Sequence, residues 1–208
     1  MVFELLFIVF VLISAVLCIT AVVLAVIRRR DRARRVLTNL GIGWIVYLSI
    51  VFLIAAVTPQ QIIPANQDLC FDDMCFAVVG VQTASELGPS NQRVRAKGVF
   101  RIVTVRVSSR ARRRLQSEGG LRALLWSPGR EYQSSALGRS AWEATHHESV
   151  ALTARLHPGQ SIFSDQVFDV RRDAADLALV LTHGFTPEYF VIGECPLFHK
   201  PTILRLPA

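Results

Sequence analysis

Two hydrophobic patterns divide the chain. Residues 5–27 run for twenty-three positions without a charge, and residues 36–57 form a second apolar run. At ~1.5 Å of rise per residue, a helix of that length covers a hydrocarbon layer of ~30 Å, so each run predicts a membrane-spanning helix. The second stops at Thr58-Pro59, where proline cannot continue the helix. From about residue 75 the apolar period falls to two. Strands are predicted over 76–83, 99–108, 122–127, 131–134, 150–156, 161–170, 177–181, 189–192 and 202–206, with Val103, Val105 and Val107 alternating against Thr104, Arg106 and Ser108 in the clearest of them. Ser127-Pro-Gly-Arg130 and His157-Pro-Gly-Gln160 are turn signals. Residues 137–144 lack a clean period of two and read as a loop or a helical turn. Short strands at this spacing predict an antiparallel sandwich or barrel.

The segment between the two apolar runs sets the topology. Arg28, Arg29, Arg30, Arg32, Arg34 and Arg35 stand there against a single Asp31. Arginine resists translocation, so 28–35 is expected as a cytoplasmic loop, with both termini outside the cytoplasm. This is the arrangement of a two-pass protein of the bacterial inner membrane with a periplasmic or extracellular domain. A cleaved signal peptide would need a positive start and a shorter core. Here Glu4 precedes the run and arginines follow it. The expected organisation is a helical hairpin over 1–57, a linker over 58–67 and an exported domain over 68–208. Ser14, Cys18, Ala21 and Ala25 on the first helix, with Gly41 and Gly43 on the second, form a small-residue face suited to helix packing. That face serves either the hairpin itself or another membrane subunit. The middle of each span is uncharged, which argues against a channel or pump.

Charge then changes the picture little. Of the formal +7 over 208 residues, most belongs to the arginine segment, and the part after residue 57 carries 17 basic and 14 acidic residues. The sequence pI near 9.9 is therefore partly a topology signal. It does not indicate nucleic-acid binding, and no aromatic residues interleave the basic ones as single-strand binding requires. Arg110, Arg112, Arg113 and Arg114 form the one basic run of the exported part. It reads as a solvated turn or as a contact for anionic lipid or an acidic partner.

Chemistry-bearing residues are few. Cys70 and Cys75 enclose four residues and, in an oxidising compartment, suit a disulfide. Free thiols, a pairing with Cys195 and a metal site are the alternatives. A calcium loop on Asp68, Asp72 and Asp73 lacks the glycine and the distal glutamate that such loops use. His146-His147-Glu148 is the other candidate, but neighbouring residues on a strand face opposite ways and no metal-ligand spacing follows. Gly138-Arg-Ser-Ala-Trp142 lacks the closing glycine of a nucleophile elbow. No metal and no cofactor are expected.

The order of these segments carries a resemblance. The residues are a cysteine-marked first strand, Gly98-Val-Phe-Arg-Ile-Val-Thr-Val-Arg-Val107, Leu125-Trp-Ser-Pro-Gly-Arg-Glu-Tyr132, Leu156-His-Pro-Gly-Gln160, Gln166-Val-Phe-Asp-Val170 and Asp176-Leu-Ala-Leu179. Over residues 75–182 this resembles the immunoglobulin-like domains of unknown function carried by many bacterial lipoproteins and membrane-anchored proteins. The resemblance implies an immunoglobulin-like antiparallel β-sandwich and no catalytic residues. The expectation is a non-catalytic module held in the lipid bilayer, an accessory subunit or interaction module of a membrane or envelope assembly. Two rivals stand beside it. One is a redox or stress sensor using Cys70 and Cys75. The other is a metal-dependent hydrolase drawing on Asp72, Asp73, His146, His147 or Cys195.

Overall fold

The computed structural model describes residues 2–183 and 201–207. It divides into two units, one containing the two long helices and the other the nine strands and the short helix of the described residues.

In the first unit, α1 (Val2–Val26) and α2 (Arg30–Val57) are each long and apolar enough to cross a membrane. The arginine segment differs from its expected form. Only residues 27–29 make the turn, with Arg28 at φ 58, and α2 already begins at Arg30. Arginine and alanine are good helix formers, neither proline nor glycine interrupts 30–35, and Asp31 sits favourably in the first turn. At the far end Thr58 turns extended ahead of Pro59, and its N–H and hydroxyl both donate to the Ile54 carbonyl, at 3.0 and 2.7 Å.

Aromatic packing joins the helices. Phe10 stacks on Tyr47 at 4.7 Å between centroids and meets Trp44 edge-on at 4.9 Å, with Val51 and Ala55 fully buried alongside. Ser14 and Ala21 are buried, whereas Cys18, Ala25 and Gly41 are exposed. Gly41 and Gly43 do not serve close helix approach, because a Cβ placed on either meets nothing within 4 Å. Large rings at the contact fill the space that small residues would otherwise close.

The second unit is a sandwich of two sheets. One has the order β1-β9-β8-β5-β6, from Ile62–Ile63, Ile203–Arg205, Ala178–Thr182, Arg122–Ser127 and Arg130–Gln133. The other is β2-β3-β4-β7, from Leu69–Phe71, Met74–Leu87, Val94–Ser109 and Ser161–Val170. Between them lies a core containing Phe76, Val103, Val105, Phe168, Leu125, Leu179 and Leu204, all fully or almost fully buried. Strand pairing is antiparallel except that β1 runs parallel to β9, so the segment expected as linker supplies a sheet strand. The strand expected at 189–192 lies outside the described residues.

The second sheet is covered on part of its other face as well. α3 (Ala136–Glu143) starts at Ser135, whose hydroxyl accepts the Gly138 N–H at 3.1 Å. It lays Ala141 and Trp142 over Phe100, Ile102 and Val167. Ile102 and Val103 are consequently both fully buried although they face opposite ways.

The strand expected over 150–156 does not form. Ser149 and Val150 bond the edge of β7 through the Ser149 and Ser164 hydroxyls, Ala154 N–H closes a turn onto the Ala151 carbonyl, and Leu156 makes an isolated bridge to Gln116. Leu152 and Leu156 are buried without a ladder, so the alternation reflects two apolar plugs rather than a pleat.

Candidate functional site

The sequence candidates fall in separate places. Cys70 and Cys75 are direct cross-strand partners in the β2–β3 hairpin and form a disulfide, S–S 2.09 Å. Asp72 and Asp73 are the two residues of its turn, with Asp72 at φ 47 and the Asp73 carbonyl accepting the Arg110 N–H at 2.7 Å. Arg110 is not a free member of the basic run, because Asp68 takes both it and Arg106, at 2.8 and 3.1 Å. Arg112, Arg113 and Arg114 are exposed. The two candidate histidines are also placed apart from the acids. The His146 ring stacks on Trp142 at 3.5 Å, and His147 is exposed. Among the described residues no three of His, Cys, Asp and Glu converge as a metal site would need. Cys195 lies outside the described residues.

Trp142 leads to a polar knot under α3. Its indole N–H donates to one Asp165 oxygen at 3.0 Å, and the Thr104 hydroxyl donates to the other at 2.7 Å. The Ser149 hydroxyl accepts the Asp165 N–H at 2.8 Å and donates to its carbonyl at 3.1 Å. One carboxylate oxygen thus holds α3 to the sheet and the other bonds β4, while the Asp165 backbone holds Ser149 of the 145–150 segment.

A recess of about 650 Å³ opens where the first residues of β4 meet the end of β7. Gly98 makes this meeting possible, since a Cβ there would stand 2.0 Å from the Val170 carbonyl oxygen. Asp169 locks it: its carboxylate accepts the backbone N–H of Lys97 at 2.9 Å and of Gly98 at 3.1 Å. Arg172 adds a bond from Nε to the Gly98 carbonyl at 3.3 Å.

This arrangement sets exposed Arg95 and Lys97 on one side and Arg171 and Arg172 on the other. Of the acids in the recess, Asp169 is committed to the two backbone amides. Asp173 is gripped by Arg171 at 2.8 and 2.5 Å. The hydrogen bond from Arg171 holds the Asp173 carboxyl below its usual range, so this neutralised pair persists to lower pH than a free carboxylate would allow and is lost as pH falls further. The recess therefore carries a net positive face. Leu137 and half-buried Tyr132 give it apolar surface, and Leu137 is 74% exposed at the start of α3. An arrangement of this kind attracts an acidic group while offering apolar area beside it.

The fold defines a class, two long apolar helices joined in one chain to a β-sandwich-like domain. No family model and no curated protein matches the chain. Among solved structures, it is similar to a conserved hypothetical protein from Bacillus anthracis, with 16% identity over 59% of this chain and 92% of that one, TM-score 0.48. It is also similar to an uncharacterized β-sandwich protein from Clostridium difficile 630, with 10% identity over 72% and 96% and TM-score 0.42. A third likeness is to the yjhA protein from Bacillus subtilis, with 9% identity over 70% and 99% and TM-score 0.44.

Proposed function

We propose that this chain is a non-catalytic, membrane-anchored binding module. In this reading α1 and α2 span the bacterial inner membrane with the arginine turn in the cytoplasm. The sandwich, immunoglobulin-like in kind, is exported and docks an acidic segment of another membrane or envelope protein in the Gly98 recess. The observation that carries the docking role is the pair Arg95 and Lys97, without an ion-pair partner among the described residues, standing beside exposed Leu137 in a recess whose acids are already engaged.

The test is site-specific photo-cross-linking of the full chain in native membranes, with the cross-linker at position 97 or, as control, at Ser161 on the opposite end of β7. The expected result is one discrete adduct from position 97, joined to an acidic peptide, absent at 161 and lost in R95E/R172E. Equal adducts at both positions, or an adduct unaffected by R95E/R172E, would contradict the reading.

One observation favours a second reading. Cys70 is exposed while Cys75 is fully buried, so the disulfide presents one sulfur-bearing residue to solvent thiols. A sensor predicts a bond that opens reversibly in the folded protein under mild reductant. A structural bond predicts no opening until the domain unfolds. C70S/C75S then lowers stability by roughly 2 kcal/mol in denaturant titration, from the closure of so small a loop.

A further inference from the structure

The turn-proximal end of the helical hairpin holds a second recess, of about 500 Å³, lined by Ala25 of α1 and by Arg30, Ala33, Arg34, Leu37 and Thr38 of α2. Arg30 and Arg34 are one helical turn apart and share a face, with the Thr38 hydroxyl a turn further along. Ala33 is 6% exposed and seats the turn, while Leu37 is 52% exposed at the recess. Among the described residues, neither Arg30 nor Arg34 has an ion-pair partner, although Asp31 lies in the same turn, so both guanidinium groups face the recess without a salt bridge.

The recess also has a continuation. Cys18 lies seven residues before Ala25, and Gly41 seven after Arg34, so each falls almost on the same line of its helix. Both are exposed, and a Cβ added at Gly41 meets nothing within 4 Å. These exposed small residues, with Leu37 and Val22 between them, make a lane of reduced side-chain volume from the arginine pair along the apolar helices. That accounts for the small residues that the aromatic contact between the helices leaves unused.

We propose that this recess binds an anionic phospholipid, its headgroup phosphate held between Arg30 and Arg34 and one acyl chain lying along Ala25, Cys18 and Gly41. Charge complementarity selects the occupant. A paired guanidinium site grips a phosphate, and only a lipid also supplies the apolar chain that the lane fits. The proposal rests on the membrane-spanning reading of α1 and α2.

The test reconstitutes the full-length protein into vesicles of equal parts phosphatidylcholine and phosphatidylglycerol. Carbonate washing comes first, then extraction into mild detergent and a count of retained lipids by native mass spectrometry. Wild type is expected to retain phosphatidylglycerol over phosphatidylcholine by about thirtyfold, from two arginines near an anionic group. R30Q/R34Q, which keeps the other four arginines of residues 28–35, should fall to near-even retention. Gly41→Leu should lower it with every arginine intact, and R112Q/R113Q should leave it unchanged. Even retention by wild type, or enrichment persisting in R30Q/R34Q, would overturn the site alone. Release of the wild type by carbonate would overturn the spanning reading and the site with it.

Discussion

Gly98→Ala will lower the stability of the sandwich by about 3 kcal/mol, at the upper end of what overpacking costs. The new Cβ would meet the Val170 carbonyl oxygen at 2.0 Å, its carbon at 2.9 Å and the Arg171 Cα at 3.0 Å. All three are backbone atoms, so no rotamer change relieves the clash. The end of β7 must move, and its movement withdraws the Asp169 carboxylate from the amides of Lys97 and Gly98. Binding at the recess should therefore weaken together with stability. Gly119→Ala is the matched control, because a Cβ there meets nothing within 4 Å. Near-ultraviolet circular dichroism of the detergent-solubilised full chain, followed through a denaturant titration, reads both. Equal midpoints for the two variants would show that the approach of β4 to β7 is looser than described.

Trp142→Ala has the other large expected effect, a loss of ~3–5 kcal/mol. Trp142 is 6% exposed and packs in the cluster with Phe100, Ile102 and Val167. Its removal opens a cavity beneath α3 and leaves Asp165 without one donor. Trp142→Phe separates these terms: it retains much of the apolar volume but deletes the N–H to Asp165, and should cost ~1–3 kcal/mol. If the phenylalanine variant equals wild type, the Trp142–Asp165 bond contributes nothing and α3 is held by packing alone. His146 should also lose its stacking partner in the alanine variant, visible as a changed ring-proton shift.

The sequence carried the architecture wherever the signal was local. Val103, Val105 and Val107 alternate because one face of β4 meets the opposing sheet, and the Pro-Gly turns take Gly129 and Gly159 to φ 78 and 73, as their chemistry requires. The Cys70–Cys75 pairing was legible because a two-residue turn places the partners opposite each other. Local alternation misled at 150–156, where buried leucines imitate a pleat while side-chain hydroxyls take the backbone bonds. α3 was only half visible, since its N-cap Ser135 is not followed by the acidic residue that completes a capping box. The arginine segment hid its helix because a charge cluster between two apolar runs has the composition of a loop, although arginine propagates a helix well. The Gly98 recess was not legible at all. Arg95 and Lys97 meet Arg171 and Arg172 only after β4 pairs with β7, some seventy residues away along the chain, and nothing local marks that register. The glycine that allows it looks like any other glycine until the Val170 carbonyl is seen beside it.

The lipid site and the docking role share one premise, that α1 and α2 carry the chain across a membrane and back. The most direct measurement tags the chain after Ala208 and treats cells whose cytoplasmic membrane is intact with an external protease. The account predicts that the tag is removed while a cytosolic marker survives. A tag that stays protected until the membrane is breached would contradict it, placing the sandwich and its recess on the same side as the cytosol.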